Sequence, residues 1–102
     1  MLTKYNIQEQ IRLNAPRMRE FGINKIGLFG SFVRQEQQTG SDIDILVDFQ
    51  ANKENFDNFM AICDLLDQLF KGYKVEVVTL NGLSPYIGPH ILNSVEYVQI
   101  TN

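Results

Sequence analysis

The 102-residue sequence has no tryptophan, one cysteine, one histidine and three prolines. A lone cysteine, Cys63, cannot form an internal disulfide, so nothing argues for secretion. No apolar run is long enough to cross a bilayer, and the opening MLTKYNIQEQ lacks the apolar stretch of a signal peptide. There is no internal repeat, low-complexity tract or linker. Basic residues form no stripe with interleaved aromatics, so nucleic acid is not expected as a direct partner. What is present is the composition of a globular protein, 44% apolar and 21% charged. These features predict one domain over residues 1–102, no membrane association and a cytoplasmic location.

The net charge of −3 is unevenly spread. Residues 1–40 hold six Lys or Arg against three Glu, whereas residues 41–102 hold three Lys against nine acids. A solvated surface explains such a split, and so does a group of acids that converge and need cations.

Apolar spacing predicts helix from Ile7 to Phe21, divided by Pro16, with Asn14 capping the second piece and Gly22 ending it. Lys25–Phe29 reads as a short buried strand and Ser41–Phe49 as an alternating one. Ile43, Ile45, Val47 and Phe49 point one way, while Asp42, Asp44, Leu46 and Asp48 point the other. Asn55–Phe70 reads as a helix whose stripe is Phe56, Phe59, Met60, Cys63, Leu66, Leu69 and Phe70, stopped by Gly72. Tyr73–Leu80 is a further strand, with Glu76 on its polar face. Ser84-Pro85 resembles a helix start that Gly88-Pro89 interrupts, and Glu96–Ile100 closes the chain as an edge strand. The expected fold is α/β, a small mixed β-sheet with helices packed on one face.

The stretch GSFVRQEQQTGSDID, residues 30–44, carries the chemistry. Asp42 and Asp44 lie on one strand face about 6.5–7 Å apart along the chain, where they repel each other unless water or a cation intervenes. Such a pair suits divalent ions, and Mg²⁺ prefers oxygen ligands shared with substrate phosphates. Asp48 lies roughly 13 Å further along the strand and is too far to join them. Glu76 is the better third acid if its strand is the neighbour. A strand ending in Gly30 presents backbone N–H groups to phosphate, with the Ser31 hydroxyl and Arg34 as further donors.

Gly30-Ser31, ten residues, then Asp42-Ile43-Asp44 resembles the signature of the DNA polymerase β-like nucleotidyltransferase superfamily. The surrounding LFGSFVRQEQQTGSDIDILVDF is similar to its minimal nucleotidyltransferase (MNT) branch, small prokaryotic chains commonly paired with a HEPN-domain toxin. KVEVVT at 74–79 extends the likeness. The resemblance implies a polymerase β-like palm fold that takes Mg²⁺, as two ions, and ATP as substrate. It implies that Asp42, Asp44 and Glu76 are the catalytic and metal-holding carboxylates, with Glu76 activating the attacking hydroxyl. Gly30, Ser31, Arg34 and Ser41 would bind the nucleotide. It further implies an antitoxin that transfers AMP to a tyrosine of its HEPN toxin. Neutralisation by binding alone stays open as the alternative. Transfer to a small molecule or an RNA end ranks last, because relatives of that kind carry extra domains.

Two positions depart from the pattern. Gln35 stands where glycine usually follows the arginine, and is expected to alter the helix entry or crowd the nucleotide. Glu76 stands where aspartate is common, one methylene shorter. His90 reads as a surface or structural residue, Cys63 and Phe56, Phe59 and Phe70 as core, and Asp64, Asp67, Arg12, Arg17 and Arg19 as solvated.

Overall fold

The computed structural model describes residues 2–100. Helices α1 (Lys4–Leu13) and α2 (Ala15–Glu20) precede strand β1 (Ile23–Phe29) and the one-turn helix α3 (Ser31–Arg34). Strand β2 (Ile43–Phe49), helix α4 (Phe56–Leu69), strand β3 (Val75–Thr79), a 3₁₀ turn (Leu80–Gly82), helix α5 (Gly88–Ser94) and strand β4 (Glu96–Val98) follow. The strands form one mixed sheet in the order β3-β2-β1-β4. β1 runs antiparallel to β2 and β4, whereas β2 and β3 are parallel, joined by the crossover through α4. Among the described residues no helix is long and apolar enough to cross a membrane.

Local sequence accounts for the helix ends. Thr3 and Asn6 cap α1 reciprocally, the Thr3 hydroxyl accepting from the Asn6 N–H at 3.2 Å and the Asn6 side-chain Oδ1 from the Thr3 N–H at 3.0 Å. Asn14 stands where α1 gives way to α2, but it does not cap α2 as expected. Its amide donates instead to the Gln10 carbonyl at 2.8 Å, closing the helix behind it, while Pro16 sits in the first turn of α2. Gly22 then takes the left-handed φ of 81° that ends the segment. Arg19 is not simply solvated, since its guanidinium donates to the Ile100 carbonyl and ties α2 to the end of the chain.

The core lies between one sheet face and helices α1, α2 and α4. Ile7, Ile11 and Met18 meet Ile26, Leu28, Ile43, Ile45 and Val47, with Ile62, Leu65 and Leu66 of α4. Each such fully buried side chain contributes about 1.5–3 kcal/mol relative to exposure. The expected stripe of α4 is rotated. Phe56 is 76% exposed and Met60 is also exposed, Cys63 is half-buried, and Ile62 and Leu65 take the inner face. Leu46 and Ile91 are buried as well, yet they stand outside this cluster. Thus the far sheet face also has apolar cover, from the segment around α5. Pro89 does not interrupt that helix but occupies its first turn, where the missing N–H removes no intrahelical bond.

Candidate active site

The site is assembled by strand register. Antiparallel pairing sets Phe29 beside Asp44, and parallel pairing sets Asp44 beside Glu76. Three adjacent strands thus bring the end of β1, the start of β2 and the start of β3 to one place. Asp42 lies just before β2 and Ser31 just after Gly30, so both halves of the expected site meet at the same end of the sheet.

Gly30 joins them. Its φ of 80° and ψ of −153° belong to a region open essentially to glycine alone. A Cβ built there would land on Asp44 Oδ2, with the Asp44 carboxyl carbon 3.1 Å away. Glycine is therefore required twice, by backbone conformation and by the close passage of Asp44. The helix that follows has four residues and no side-chain cap on its first turn. Any anion grip here rests on individual N–H groups and the Ser31 hydroxyl rather than on a long helix dipole.

The acids repel one another. Burial pushes the Asp44 carboxyl up to about 6, the charges of Glu76 and Asp42 push in the same direction, and Arg34 opposes them. Arg34 itself is held by Glu36, Nε to Oε1 at 2.8 Å. Glu76 is exposed, and its Oε1 lies 3.2 Å from Lys74 Nζ. Among the described residues no three Asp, Glu, His or Cys side chains close into a ready-made metal cage. The register required for convergence of Asp42, Asp44 and Glu76 is present, but Glu76 is drawn toward Lys74. An all-oxygen donor set under mutual repulsion fits a hard divalent cation.

Asp48 is remote, as expected, and accepts from the Asn24 amide at 3.2 Å. Ser41 closes the loop before β2, its hydroxyl accepting from the Gln38 N–H at 2.8 Å. It also borders a cavity of about 500 Å³ together with Phe32, Gly40, Tyr73 and Lys74. A second cavity of about 420 Å³ adjoins the acids on the other side, lined by Phe29, Asp44, Glu76, Val78, Leu83 and Ile87 among others. Neither Lys74 nor this apolar wall is assigned a role by the sequence pattern. The signal for Lys74 was its spacing, two residues before Glu76 on the same strand face.

Gln35 stands at the exit of α3, not its entry. Its side chain is exposed and its backbone is left-handed, φ 57° and ψ 36°. The preference for glycine there is a backbone requirement that Gln35 meets under strain. His90 is exposed, and Asp64 and Asp67 face solvent on α4.

The sequence pattern of the family described as "Polymerase beta, Nucleotidyltransferase" matches residues 12–101. The protein adenylyltransferase MntA of Thermococcus cleftensis is 36% identical over 99 residues, covering 96% of this chain and 98% of that protein. Among solved structures, one assigned to the minimal nucleotidyltransferases superposes with a TM-score of 0.69 at 25% identity, covering 87% of this chain and 93% of the other. The MNT antitoxin complex with a tri-AMPylated HEPN toxin of Shewanella oneidensis gives 0.57 at 20% identity, over 92% and 73%, a likeness of fold.

Proposed function

The chain belongs to the polymerase beta nucleotidyltransferase family, and on that premise we propose that it is a Mg²⁺-dependent antitoxin that transfers AMP from ATP to a tyrosine hydroxyl of a HEPN-type toxin. The observation that carries this reading is the pairing of Asp44 with Glu76 beside Gly30. It sets two carboxylates next to a glycine that lies against one of them, within the stretch that matches the family. The name and near-complete coverage of the Thermococcus relative support a protein as acceptor.

In this reading Asp42 and Asp44 hold the metal, with Glu76 as third ligand or proton acceptor. Mg²⁺, when bound, supplies positive charge for the triphosphate and the leaving pyrophosphate. Gly30 and Ser31 orient the triphosphate through backbone N–H groups and a hydroxyl, with Arg34 and Ser41 at its margins. The acceptor oxygen forms a bond to the α-phosphorus while the bond to the β-phosphate oxygen breaks. Glu76 takes the hydroxyl proton, and pyrophosphate leaves. The apolar side chains of Phe29, Val78 and Leu83 line the cavity beside Asp44 and Glu76.

Incubation with labelled ATP, Mg²⁺ and the cognate toxin should label the toxin. Equal labelling by wild type and by Asp42→Ala/Asp44→Ala would reject the reading. The engagement of Glu76 by Lys74 favours one second reading, neutralisation by binding alone. Under it the double aspartate variant still protects cells from the toxin.

A further inference from the structure

The parallel register pairs Ile43 with Val75 and Asp44 with Glu76. One step back it sets Asp42 opposite Lys74, where the Ile43 N–H donates to the Lys74 carbonyl at 2.9 Å. Residues two apart on a strand share a face. Four side chains therefore occupy the corners of one patch, three acids and one amine. Lys74 Nζ lies 3.2 Å from Glu76 Oε1, while Arg34 is engaged with Glu36.

We propose that Lys74 is a positioning residue for Glu76, its ammonium holding in the metal-free protein the carboxylate that a divalent cation later recruits. This role rests on the metal-dependent reading of the site and adds a named competitor to it. Three carboxylates on one sheet face repel one another, and a nearby positive charge relieves part of that repulsion. Without a metal, the Lys74 ammonium, 3.2 Å from Glu76 Oε1, supplies positive charge beside it.

The strength of the pair decides whether such an exchange works. A buried ion pair resists separation, because each partner would be left desolvated. Here the side chains are 70% and 48% exposed. A pair so placed is weak and screened, so a divalent ion, if held by Asp42 and Asp44, would meet little resistance in drawing Glu76 away. The longer reach of glutamate suits this, since its carboxylate must serve two positions. Lys74 also borders the cavity shared with Ser41.

Mn²⁺ binding to the protein without nucleotide or toxin, followed by electron paramagnetic resonance, tests the inference. Lys74→Gln should tighten Mn²⁺ binding about three- to fivefold, the range an exposed pair supports. In a Glu76→Gln background the same substitution should change affinity by less than about twofold, because the partner is gone. Lys74→Arg, which keeps the pair, should stay close to wild type. Equal tightening in both backgrounds would make Lys74 a general charge and overturn the inference. Loss of Mn²⁺ binding in Asp42→Asn/Asp44→Asn, without Lys74–Glu76 coupling, sinks the inference alone. Wild-type binding untouched by that double substitution sinks the metal reading and the inference together.

Discussion

Asp44 and Glu76 stand directly opposite one another in the parallel pairing of β2 and β3. Partial burial, followed by the charges of Glu76 and Asp42, raises the Asp44 carboxyl from 3.8 to about 6. In the unfolded chain neither the burial nor the repulsion exists, so between these two values the folded state binds more protons. Stability then falls as pH rises through that window, in the sense opposite to a salt-bridged aspartate. The effect is about 1 kcal/mol after allowance for solvent screening of a partly exposed group. Asp44→Asn should therefore unfold at higher urea than wild type at pH 7 without divalent ions, and near wild type below pH 4. A gap of the same size at both pH values would rule out the Asp44 carboxylate as its source. Millimolar Mg²⁺ should close the gap at pH 7, because the cation relieves the repulsion that the substitution removes.

Much of this site is legible in the amino-acid order alone. Alternation from Ile43 to Phe49, broken only by apolar Leu46, indicates which side chains of β2 share a face, and distance along the strand removes Asp48. Strand order is not legible, since periodicity carries no information on which strands are neighbours. The pairing of Asp44 with Glu76 is a tertiary fact, and so is the apolar cover that Ile91 and Leu46 give the far face. Gln35 is legible as an oddity but not as a left-handed residue at the end of a helix. Proline at 89 misleads because its ring is unwelcome inside a helix yet favoured in the first turn.

Helix α4 shows where periodicity runs out. Phe56, Phe59, Met60, Ile62, Cys63, Leu65, Leu66, Leu69 and Phe70 spread apolar character over more than half its circumference, so two overlapping stripes fit the 3.6-residue repeat. Docking on the sheet selects one of them. Phe70 is 3% exposed, and Phe70→Ala should destabilise by about 3–5 kcal/mol. Phe56 is 76% exposed, and Phe56→Ala should move stability by no more than about 0.5 kcal/mol. Urea denaturation of the two variants decides the matter. Comparable losses would place Phe56 in the core and the helix in the wrong rotation.

Gln35 holds φ at 57° with its side chain exposed, so the strain at this position is in the backbone alone. A left-handed residue with a Cβ is disfavoured by about 1–2 kcal/mol relative to glycine. Glycine returns part of that through the greater freedom of its unfolded chain. Gln35→Gly should therefore stabilise the protein by about 0.5–1 kcal/mol, read as a higher urea midpoint with an unchanged slope. The left-handed exit of α3 turns the chain from Arg34 toward the Gln38–Ser41 loop, and the Gln35 side chain is exposed. Transfer activity of Gln35→Gly should thus match wild type at temperatures well below unfolding. A large gain in activity without a gain in stability would mean that the side chain crowds the nucleotide, and would move Gln35 from the backbone of this site to its chemistry.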